Sequence, residues 1–570
     1  MNDGSSGRRG AAGPGMAGGN GVGRRRDVDA GAPLRDGGRA AIVRLVVAEL
    51  DRVRPAGPAL SAHATLDDLG VDRHRFLDAI NRIEGRFEMR FRDDWLAAIS
   101  TCGDLVDCIV KHMLDDADPG MVDVRRVAGR TDPGHAGRSW SDEGGHWPAA
   151  SVAAPRSRSA ALRGQRAPIV PEAGGHDSYP ECAALEQRLA GLAAKNLEDP
   201  FRLPVEAVHG RSVRIRGRTV VNFTSFDYLG LAGHPAVTQA AKQAIDRYGC
   251  SASASRMVGG NSDLLDELDA ELAAFVGAER AVVFPCGYGT NASLFAHLFG
   301  ADDLILYDEL AHNSIMQGAT ASKAGKRSFR HNDHRQLDRL LRDLRGQYRR
   351  VVVAIEGVYS MDGDYPDLPR FVEVKRRHDA LLYVDEAHSL GTMGPGGRGI
   401  CEFFDVDPAD GDLWMGTISK ALGAGGGFLA GSRRLIDYLG YTTPAFVFST
   451  ACSPPNAAAA LESLRVIRRE PWRVTRLRER SELFLKLAAD CDLDTGASAD
   501  TPVIPVILGS SDRAIRVSQR LLELGINARP ILYPAVREVA ARVRFFITAE
   551  HTEEQIADAV ATLAEVVRES

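Results

Sequence analysis

The segment LLYVDEAHSLG, residues 381–391, is the stretch that decides the fold. Its continuous apolar run, 381–384, predicts a buried strand, and the polar residues Asp385 and His388 follow where that strand ends. Apolar runs of the same kind lie at 281–284, 351–355 and 427–430. They alternate with helical patterns such as DLLDELDAELAAFVG, residues 263–277. This alternation predicts an α/β domain with a mostly parallel sheet.

Polar residues also follow the neighbouring predicted strands. VVVAIEGVYSMDGD, residues 351–364, ends its apolar run in Glu356, and DLWMGTIS, residues 412–419, is followed by Lys420. AVVFPCGYGTN, residues 281–291, leads through a glycine turn into a helix, whose free backbone N–H groups favour an anion. Because ligands of open α/β sheets bind outside the carboxyl ends of strands, we expect these residues to meet in one site.

These residue types are the ones that pyridoxal 5′-phosphate (PLP) requires. PLP needs a lysine for a Schiff base, a carboxylate at its pyridine nitrogen and an anion site for its phosphate. Lys420, Asp385 and the turn at Gly287 and Tyr288 are candidates for these three tasks. Each also has an ordinary explanation, since strand-end aspartates often cap helices and single lysines are usually solvated. Spacing alone leaves a PLP site and purely structural roles both open.

Composition narrows the class of protein. Of 570 residues, 44% are hydrophobic and 26% are charged, as in soluble globular proteins, and the length predicts more than one domain. The net charge of −6 gives no reason to expect nucleic acid as a partner. The eight cysteines form no CxxC pair, which argues against a metal site or a disulfide framework and predicts a cytoplasmic protein. No apolar run approaches the ~18 residues of a membrane span.

Four regions are predicted along the chain. Residues 1–37 are rich in glycine and arginine and are expected to form a disordered tail. Residues 38–116 carry three amphipathic helical patterns and are expected to form a small helical domain. Residues 117–178, rich in glycine, proline, serine and arginine, are predicted to be a flexible linker. The α/β domain is expected to occupy residues 179–570.

The motifs of the α/β domain, taken in order, resemble the α-oxoamine synthase family of fold-type I PLP enzymes. This family includes 8-amino-7-oxononanoate synthase, 5-aminolevulinate synthase and serine palmitoyltransferase. The resemblance runs from NFTSFDYLGLAGHPAV, residues 222–237, to RVRFFITAEHTEEQI, residues 542–556, and includes CGYGTNASL, VDEAHSLGTMGPGGRGI and SKALGAGGGF. It implies a mostly parallel sheet, a smaller C-terminal α/β subdomain and PLP as cofactor.

The resemblance also implies roles for single residues. Lys420 corresponds to the lysine that carries PLP and removes the α-proton, and Asp385 to the partner of the pyridine nitrogen. His312 corresponds to the histidine stacked on the ring, while His388 and Ser360 correspond to groups that hydrogen-bond the ring hydroxyl. Ordinary structural roles are the alternative for the two histidines. The implied phosphate contacts are Gly287, Tyr288, Thr417, Ser419 and Thr450.

Substrate and subunit contacts follow from the same resemblance. Arg544 corresponds to the arginine that binds the amino-acid carboxylate, with Arg542 as the alternative. Thr450 corresponds to a phosphate contact from a second subunit, with Ser449 as the alternative, so a homodimer is implied. Phe226 stands on the substrate side, where several members carry Asn and serine palmitoyltransferases often carry Tyr.

The implied reaction joins a small amino acid to an acyl thioester of CoA or of a carrier protein. It releases CO2 and the thiol and gives an α-aminoketone. A protonated His312 is expected to hydrogen-bond the acyl carbonyl oxygen. Glu356 is expected to be structural or to support the site. Aminotransfer or retro-aldol cleavage is the enzymatic alternative, and a non-catalytic scaffold is the third hypothesis.

The small helical domain resembles an acyl carrier protein. TLDDLGVDRHRFLDAINRIEGRF, residues 65–87, is similar to the second helix region of carrier proteins, and ISTCGDLVDCIV, residues 99–110, to their last helix. Carrier proteins attach phosphopantetheine to a serine after the aspartate, but here Arg73 follows Asp72. The resemblance therefore implies a carrier-like domain without the carrier function. Binding a protein partner, contacting the catalytic domain and being a remnant are the three roles left open. An unrelated three-helix unit is the alternative.

Overall fold

The structure is a computed structural model that describes residues 179–570 and, before them, three single residues. Val46, Ile83 and Leu105 are helical and buried, and each falls in a different one of the three predicted helices. The rest of the predicted tail, carrier-like domain and linker, including Arg73, lies outside the described residues. Those assignments remain predictions.

The strands of residues 179–570 form three sheets. They are β1 (Ala207–His209), β2 (Ser212–Ile215), β3 (Arg218–Asn222), β4 (Arg280–Phe284), β5 (Asp303–Asp308), β6 (Gly325–Phe329), β7 (Arg350–Glu356), β8 (Leu381–Asp385), β9 (Leu413–Thr417), β10 (Gly427–Gly431), β11 (Val503–Ile507), β12 (Ile526–Asn527), β13 (Arg529–Ile531) and β14 (Arg542–Phe546). The four predicted strand runs all lie within strands of the largest sheet, β4, β7, β8 and β10.

Helices follow most strands in this range. They are α1 (Pro180–Ala194), α2 (Pro235–Tyr248), α3 (Asp263–Val276), α4 (Gly287–Leu298), α5 (Asn313–Ala321), α6 (His334–Leu344), α7 (Leu368–Arg377), α8 (Ile400–Phe404), α9 (Arg433–Thr442), α10 (Pro444–Val447), α11 (Pro454–Arg469), α12 (Trp472–Asp490), α13 (Ser511–Glu523) and α14 (Glu553–Glu569), with short 3-10 turns at Arg256–Val258, Arg345–Gln347, Pro408–Asp410 and Glu538–Ala540.

The predicted helix at 263–277 shows how local sequence sets these bounds. The Ser262 side chain accepts a hydrogen bond from Leu265 N and caps the first turn of α3. The negative charge of Asp263 in this turn is stabilised by the positive end of the helix dipole. Gly277 ends the helix with a φ of 76°, a left-handed conformation that glycine adopts without strain.

The largest sheet has the order β4-β10-β9-β8-β7-β5-β6. Strands β9, β8, β7, β5 and β6 are parallel neighbours, while β10 runs antiparallel to both β9 and β4. The prediction of a mostly parallel sheet is confirmed. Glu356 and Asp385 are paired positions at the carboxyl ends of the parallel strands β7 and β8, so their side chains leave the sheet next to each other.

Both faces of this sheet are covered by buried apolar side chains. In β7, Val351, Val353 and Ile355 belong to one hydrophobic cluster, and Val352 and Ala354 belong to the other. Burial on both faces explains why β7 is continuously apolar in sequence.

Two smaller sheets complete the described part of the chain. One has the order β1-β2-β3-β12, and the other, β11-β14-β13, packs with the last helices as a C-terminal α/β subdomain. The expected smaller subdomain is thereby confirmed. Between residues 179 and 570, no helix is both long and apolar enough to cross a membrane.

Candidate active site

A cavity of about 360 Å³ lies at the carboxyl ends of the central parallel strands. Eight of the predicted site residues line it: Gly287, Tyr288, His312, Asp385, His388, Thr417, Ser419 and Lys420. They lie at the ends of β8 and β9 or in the segments that follow β4, β5, β8 and β9, which the sheet topology brings to one edge. Ser360, Thr450, Arg544 and Phe226 are not among its lining residues.

Lys420 lies in the turn after β9, with its amine in the cavity. Burial lowers the pKa of the Lys420 ammonium to about 8, although the charges of Asp385 and Glu356 act in the opposite direction. The small residues around it allow close backbone packing. At Gly423, for example, φ is +61° and a Cβ would come within 2.5 Å of Ala232 N.

Asp385 is buried, and both of its carboxylate oxygens accept hydrogen bonds. Asn291 Nδ2 donates to Oδ2 at 2.7 Å, and Ala387 N donates to Oδ1 at 2.9 Å. The amide oxygen of Asn291 in turn accepts from the Tyr383 hydroxyl, which fixes the orientation of the amide. Asn291 was not predicted as a site residue, although it stands one helical turn after Gly287 in α4 and so faces the same edge.

His312 caps the N-terminus of α5, and its backbone N donates to Glu356 Oε1 at 2.5 Å. Its ring Nδ1 accepts a hydrogen bond from Ser314 N at 3.3 Å and lies 2.6 Å from Ser314 Oγ. Burial lowers the pKa of His312, as does the charge of Lys420, while Asp385 acts in the opposite direction. Both the lowered pKa and the backbone N–H at Nδ1 disfavour the expected protonated His312.

Glu356 is the buried acid beside these groups. Burial, with the nearby charge of Asp385, raises the pKa of Glu356 well above its usual value. The carboxyl group accepts the hydrogen bond from His312 N in either protonation state. Of the two expected roles, support of the site agrees with this contact.

His388 is buried against Tyr228. The Tyr228 hydroxyl and His388 Nδ1 are 2.6 Å apart, and burial, with the charges of Lys420 and Arg544, lowers the pKa of His388 well below its usual value. His388 is therefore neutral. The motif DYLG contains Tyr228, but the sequence analysis assigned it no role.

An anion site lies between the start of α4 and the end of β9. Helix α4 begins at Gly287 with its N-terminal amides towards the cavity, and a Cβ on Gly287 would lie 3.4 Å from Thr417 Oγ1. The hydroxyls of Thr417 and Ser419 are hydrogen-bonded to each other beside this point. Backbone N–H groups at a helix start, together with two hydroxyls, fit a phosphate group.

Arg544 and Arg542 lie two residues apart on β14 but have different partners. Arg542 Nη1 donates to Asp362 Oδ1 at 2.7 Å and to Met361 O at 2.8 Å. Arg544 Nη1 donates to the Ser360 carbonyl at 2.5 Å, and its buried Nε has no partner among the described residues. Burial lowers the pKa of Arg544 to about 10, which leaves it charged at neutral pH. A charged group with an unpaired donor fits a carboxylate ligand.

Phe226 forms an aromatic wall beside Lys420. Its ring centroid lies 4.7 Å from that of Phe546 and 5.7 Å from that of His388, and Lys420 Nζ lies 5.9 Å from its centre. Phe226 remains 38% exposed, so one side of the ring is open to a ligand.

Taken together, these groups fit PLP. Lys420 has an amine with a lowered pKa, Asp385 presents a buried carboxylate, and the amides of α4 with Thr417 and Ser419 form an anion site. Among the described residues no cluster of His, Cys, Asp or Glu is arranged to hold a metal ion.

Comparison with known proteins agrees with this geometry. The family model for aminotransferase class I and II matches residues 218–563. The 8-amino-7-oxononanoate synthase of Symbiobacterium thermophilum is 40% identical over 385 residues, which are 68% of this chain and 97% of that protein.

Solved structures give the same result. The serine palmitoyltransferase of Sphingomonas wittichii is 30% identical with a TM-score of 0.66, covering 70% of this chain and 99% of that one. A variant serine palmitoyltransferase from S. paucimobilis, solved with PLP and myriocin, is 28% identical with a TM-score of 0.66, covering 68% and 98%. The chain therefore belongs to the class I and II aminotransferase family and, within it, to the α-oxoamine synthases, the PLP-dependent enzymes that its motifs resemble.

Proposed function

We propose that this protein is a PLP-dependent acyltransferase that condenses a small amino acid with an acyl thioester. The amino acid loses CO2, its α-carbon bonds to the acyl carbon, the carbon–sulfur bond breaks, and an α-aminoketone and a free thiol leave. The observation that carries this proposal is the meeting of Lys420, Asp385, His312 and His388 in one cavity.

The residues that would hold PLP are assigned by their chemistry. When bound, PLP withdraws electrons from the substrate α-carbon. Lys420 is proposed to carry it, Asp385 to keep its ring nitrogen protonated, and His312 and His388 to contact its ring. The phosphate is assigned to the α4 amides at Gly287 and Tyr288 and to the hydroxyls of Thr417 and Ser419. Ser360, whose carbonyl binds Arg544, stays a proposed contact of the ring hydroxyl.

Lys420 is also proposed to remove the α-proton. A pKa near 8 leaves part of the amine unprotonated at neutral pH, and Nζ then accepts a proton. The charges of Asp385 and Glu356 act against this lowering and favour the protonated amine.

Arg544 is proposed to bind the amino-acid carboxylate. Arg544 is only partly buried, whereas Arg542 is buried and its guanidinium is already paired with Asp362, which supports this choice. Phe226 is proposed to limit the amino-acid side chain. Its apolar ring offers no hydrogen-bond partner to a hydroxyl, so glycine or alanine fits better than serine.

A homodimer is proposed to complete the site. Phe448 and Val258 are 84% and 81% exposed, and their segments are joined by a hydrogen bond from Ala451 N to Ala254 O at 3.0 Å. Apolar side chains exposed together favour a protein interface. Thr450, which is exposed beside Phe448, is proposed to reach the phosphate of the partner subunit.

The acyl donor and the protein partner of the carrier-like domain are proposed as classes of molecule. The acyl group is proposed to arrive on CoA or on a separate carrier protein, since Arg73 leaves the carrier-like domain without an attachment serine. That domain is proposed to bind a protein partner of a thioester pathway. A cytoplasmic location is proposed, since it suits such a pathway.

The function is tested by measuring both leaving groups. Purified protein with PLP is given glycine, alanine or serine labelled at the carboxyl carbon, together with an acyl-CoA or an acyl-carrier protein. We expect labelled CO2 and free thiol in equal amounts, and neither with Lys420→Ala. A 2-oxo acid without thiol release would indicate aminotransfer instead. An aldehyde cleaved from a 3-hydroxy amino acid without thiol release would indicate retro-aldol chemistry.

A further inference from the structure

His312 is held by groups that determine where its ring proton lies. As the cap of α5, its Nδ1 accepts the hydrogen bond from Ser314 N. A backbone amide only donates, so this 3.3 Å contact favours an Nδ1 that presents its lone pair and carries no proton. Nε2 has no hydrogen-bond partner among the described residues, and the ring lines the cavity.

The Ser314 hydroxyl strengthens the same arrangement. Ser314 is fully buried, and its Oγ accepts a hydrogen bond from Asn291 Nδ2 at 2.9 Å. Among the described residues, His312 Nδ1, 2.6 Å away, is the one other partner of this buried hydroxyl, so we assign the hydroxyl proton to that contact. Nδ1 thus receives two donors from one residue.

Asn291 fixes the direction of these hydrogen bonds. Its Nδ2 also donates to Asp385 Oδ2 at 2.7 Å, and its Oδ1 accepts from Tyr383. Because a carboxylate only accepts, turning the amide around would place Oδ1 against Asp385 Oδ2 and lose that hydrogen bond. The hydrogen bonds therefore all run from donor to acceptor in one direction, from Asn291 through Ser314 to His312.

We propose that Asn291 and Ser314 are positioning residues that hold His312 as the neutral imidazole protonated at Nε2 and turn that N–H towards the substrate. The use of this proton rests on the proposed function: an uncharged donor then contacts the acyl carbonyl oxygen as negative charge develops on it. A neutral ring also avoids a second cation beside Lys420.

The charges that face His312 are those of neighbouring elements. Asp385 at the end of β8 favours the protonated ring, and Lys420 after β9 disfavours it. Glu356 at the end of β7 binds the His312 backbone, and the Tyr288 ring of α4 lies 6.2 Å from the imidazole. These opposing charges do not select a tautomer by themselves, whereas the two donors at Nδ1 do.

The test reads the ring directly in the PLP-loaded protein. Histidine labelled with nitrogen-15 in the ring is incorporated, and the signals of His312, one of 15 histidines, are assigned by their loss in His312→Gln. We expect Nδ1 to show the shift of an unprotonated nitrogen and Nε2 that of a protonated one from mildly acidic to mildly alkaline pH. A protonated Nδ1 in the wild-type protein would overturn the proposal.

Ser314→Ala tests the positioning role, with Ser322→Ala as the matched control. Ser322 is a buried serine at the other end of the same helix, and its hydroxyl donates to Phe299 O at 2.6 Å. Ser314→Ala removes the closer donor, the hydroxyl at 2.6 Å, and keeps the longer backbone contact at 3.3 Å. We therefore expect part of the rings to shift to the other tautomer, kcat lowered about tenfold and an unchanged Kd for the amino acid. Ser322→Ala should keep the wild-type ring signals and kcat.

The outcomes separate this inference from the proposed function. Unchanged ring signals in folded Ser314→Ala would refute the positioning role. If Ser314→Ala does not fold, the wild-type spectrum still decides the tautomer. A protein with the expected tautomer that releases no thiol would refute the proposed function alone.

Discussion

Asn291 on α4 donates a 2.7 Å hydrogen bond to Asp385 at the end of β8. The two residues are 94 positions apart in sequence, and both side chains are buried. This contact joins the helix that begins at the anion site to the carboxylate proposed for the PLP ring nitrogen. It holds one carboxylate oxygen and leaves the charge of Asp385 in the cavity.

Replacing Asp385 by asparagine should retain the fold and remove the charge. The new amide still offers an oxygen to one of the two donors, Asn291 Nδ2 or Ala387 N, so the free energy of unfolding should fall by only about 1–3 kcal/mol. Turnover should fall by roughly 100-fold or more, because the ring nitrogen loses its anionic partner. Denaturant unfolding measures the first effect and thiol release the second.

The matched control is Asp437→Asn. Asp437 pairs with Arg280 on the surface at 3.2 Å, far from any proposed chemistry, and its loss should leave turnover unchanged. An Asp385→Asn protein with wild-type turnover would remove Asp385 from its proposed role.

Arg544 and Arg542 should respond differently to substitution by glutamine. Arg544→Gln should raise the KM for the amino acid by roughly 100-fold, because a charged hydrogen bond to its carboxylate is lost, and should leave the KM for the acyl thioester unchanged. Arg542→Gln should instead lower stability, since it leaves Asp362 without its partner. The two KM values and the unfolding curves check this. A larger rise in amino-acid KM for Arg542→Gln would exchange the two roles.

Phe226→Asn should change the choice of amino acid. The wild-type protein is expected to use glycine or alanine, because the Phe226 ring beside Lys420 leaves a serine hydroxyl unpaired. An asparagine amide supplies a partner, so the kcat/KM for serine relative to alanine should rise by about tenfold. Competition between the two amino acids measures this ratio. A constant ratio would show that Phe226 does not select between the side chains of the two amino acids.

His551 should make stability depend on pH. Its ring is stacked on Phe223 at 4.3 Å, and burial lowers its pKa to about 4, although a hydrogen bond to Asn222 O acts in the opposite direction. In the unfolded chain His551 binds a proton near pH 6.5, whereas in the folded chain it does so only near pH 4. The free energy of unfolding should therefore fall as the pH drops between these two values.

The expected loss from this one group is at most about 3 kcal/mol. Unfolding by denaturant at several pH values measures it, and His551→Gln should flatten the dependence in this range. An equal slope in the variant would assign the effect to other groups.

The strands were predictable from sequence because burial on both faces makes them continuously apolar. The run 351–355 lies inside β7 and 381–384 inside β8 for this reason. The antiparallel direction of β10 was not predictable, since a buried strand has the same composition in either direction.

Site residues were predictable where a motif contains one candidate for a role. They were not predictable where the role depends on which side chain lies next to the residue in the folded chain. Lys420 and Asp385 follow from strand ends and from the resemblance. Arg542 and Arg544 lie two apart on one strand, so only the position of Asp362 distinguishes them. Ser314 is an ordinary helical serine in sequence, and its role depends on a side chain 23 residues away.

The central claim is that the cavity at the ends of β7, β8 and β9 holds PLP through Lys420. The most direct measurement is borohydride reduction of the PLP-loaded protein, followed by peptide mass spectrometry. We predict one phosphopyridoxyl group per chain, on the peptide that contains Lys420, and none in Lys420→Ala. A label on another lysine, or no label on a folded protein saturated with PLP, would contradict the account.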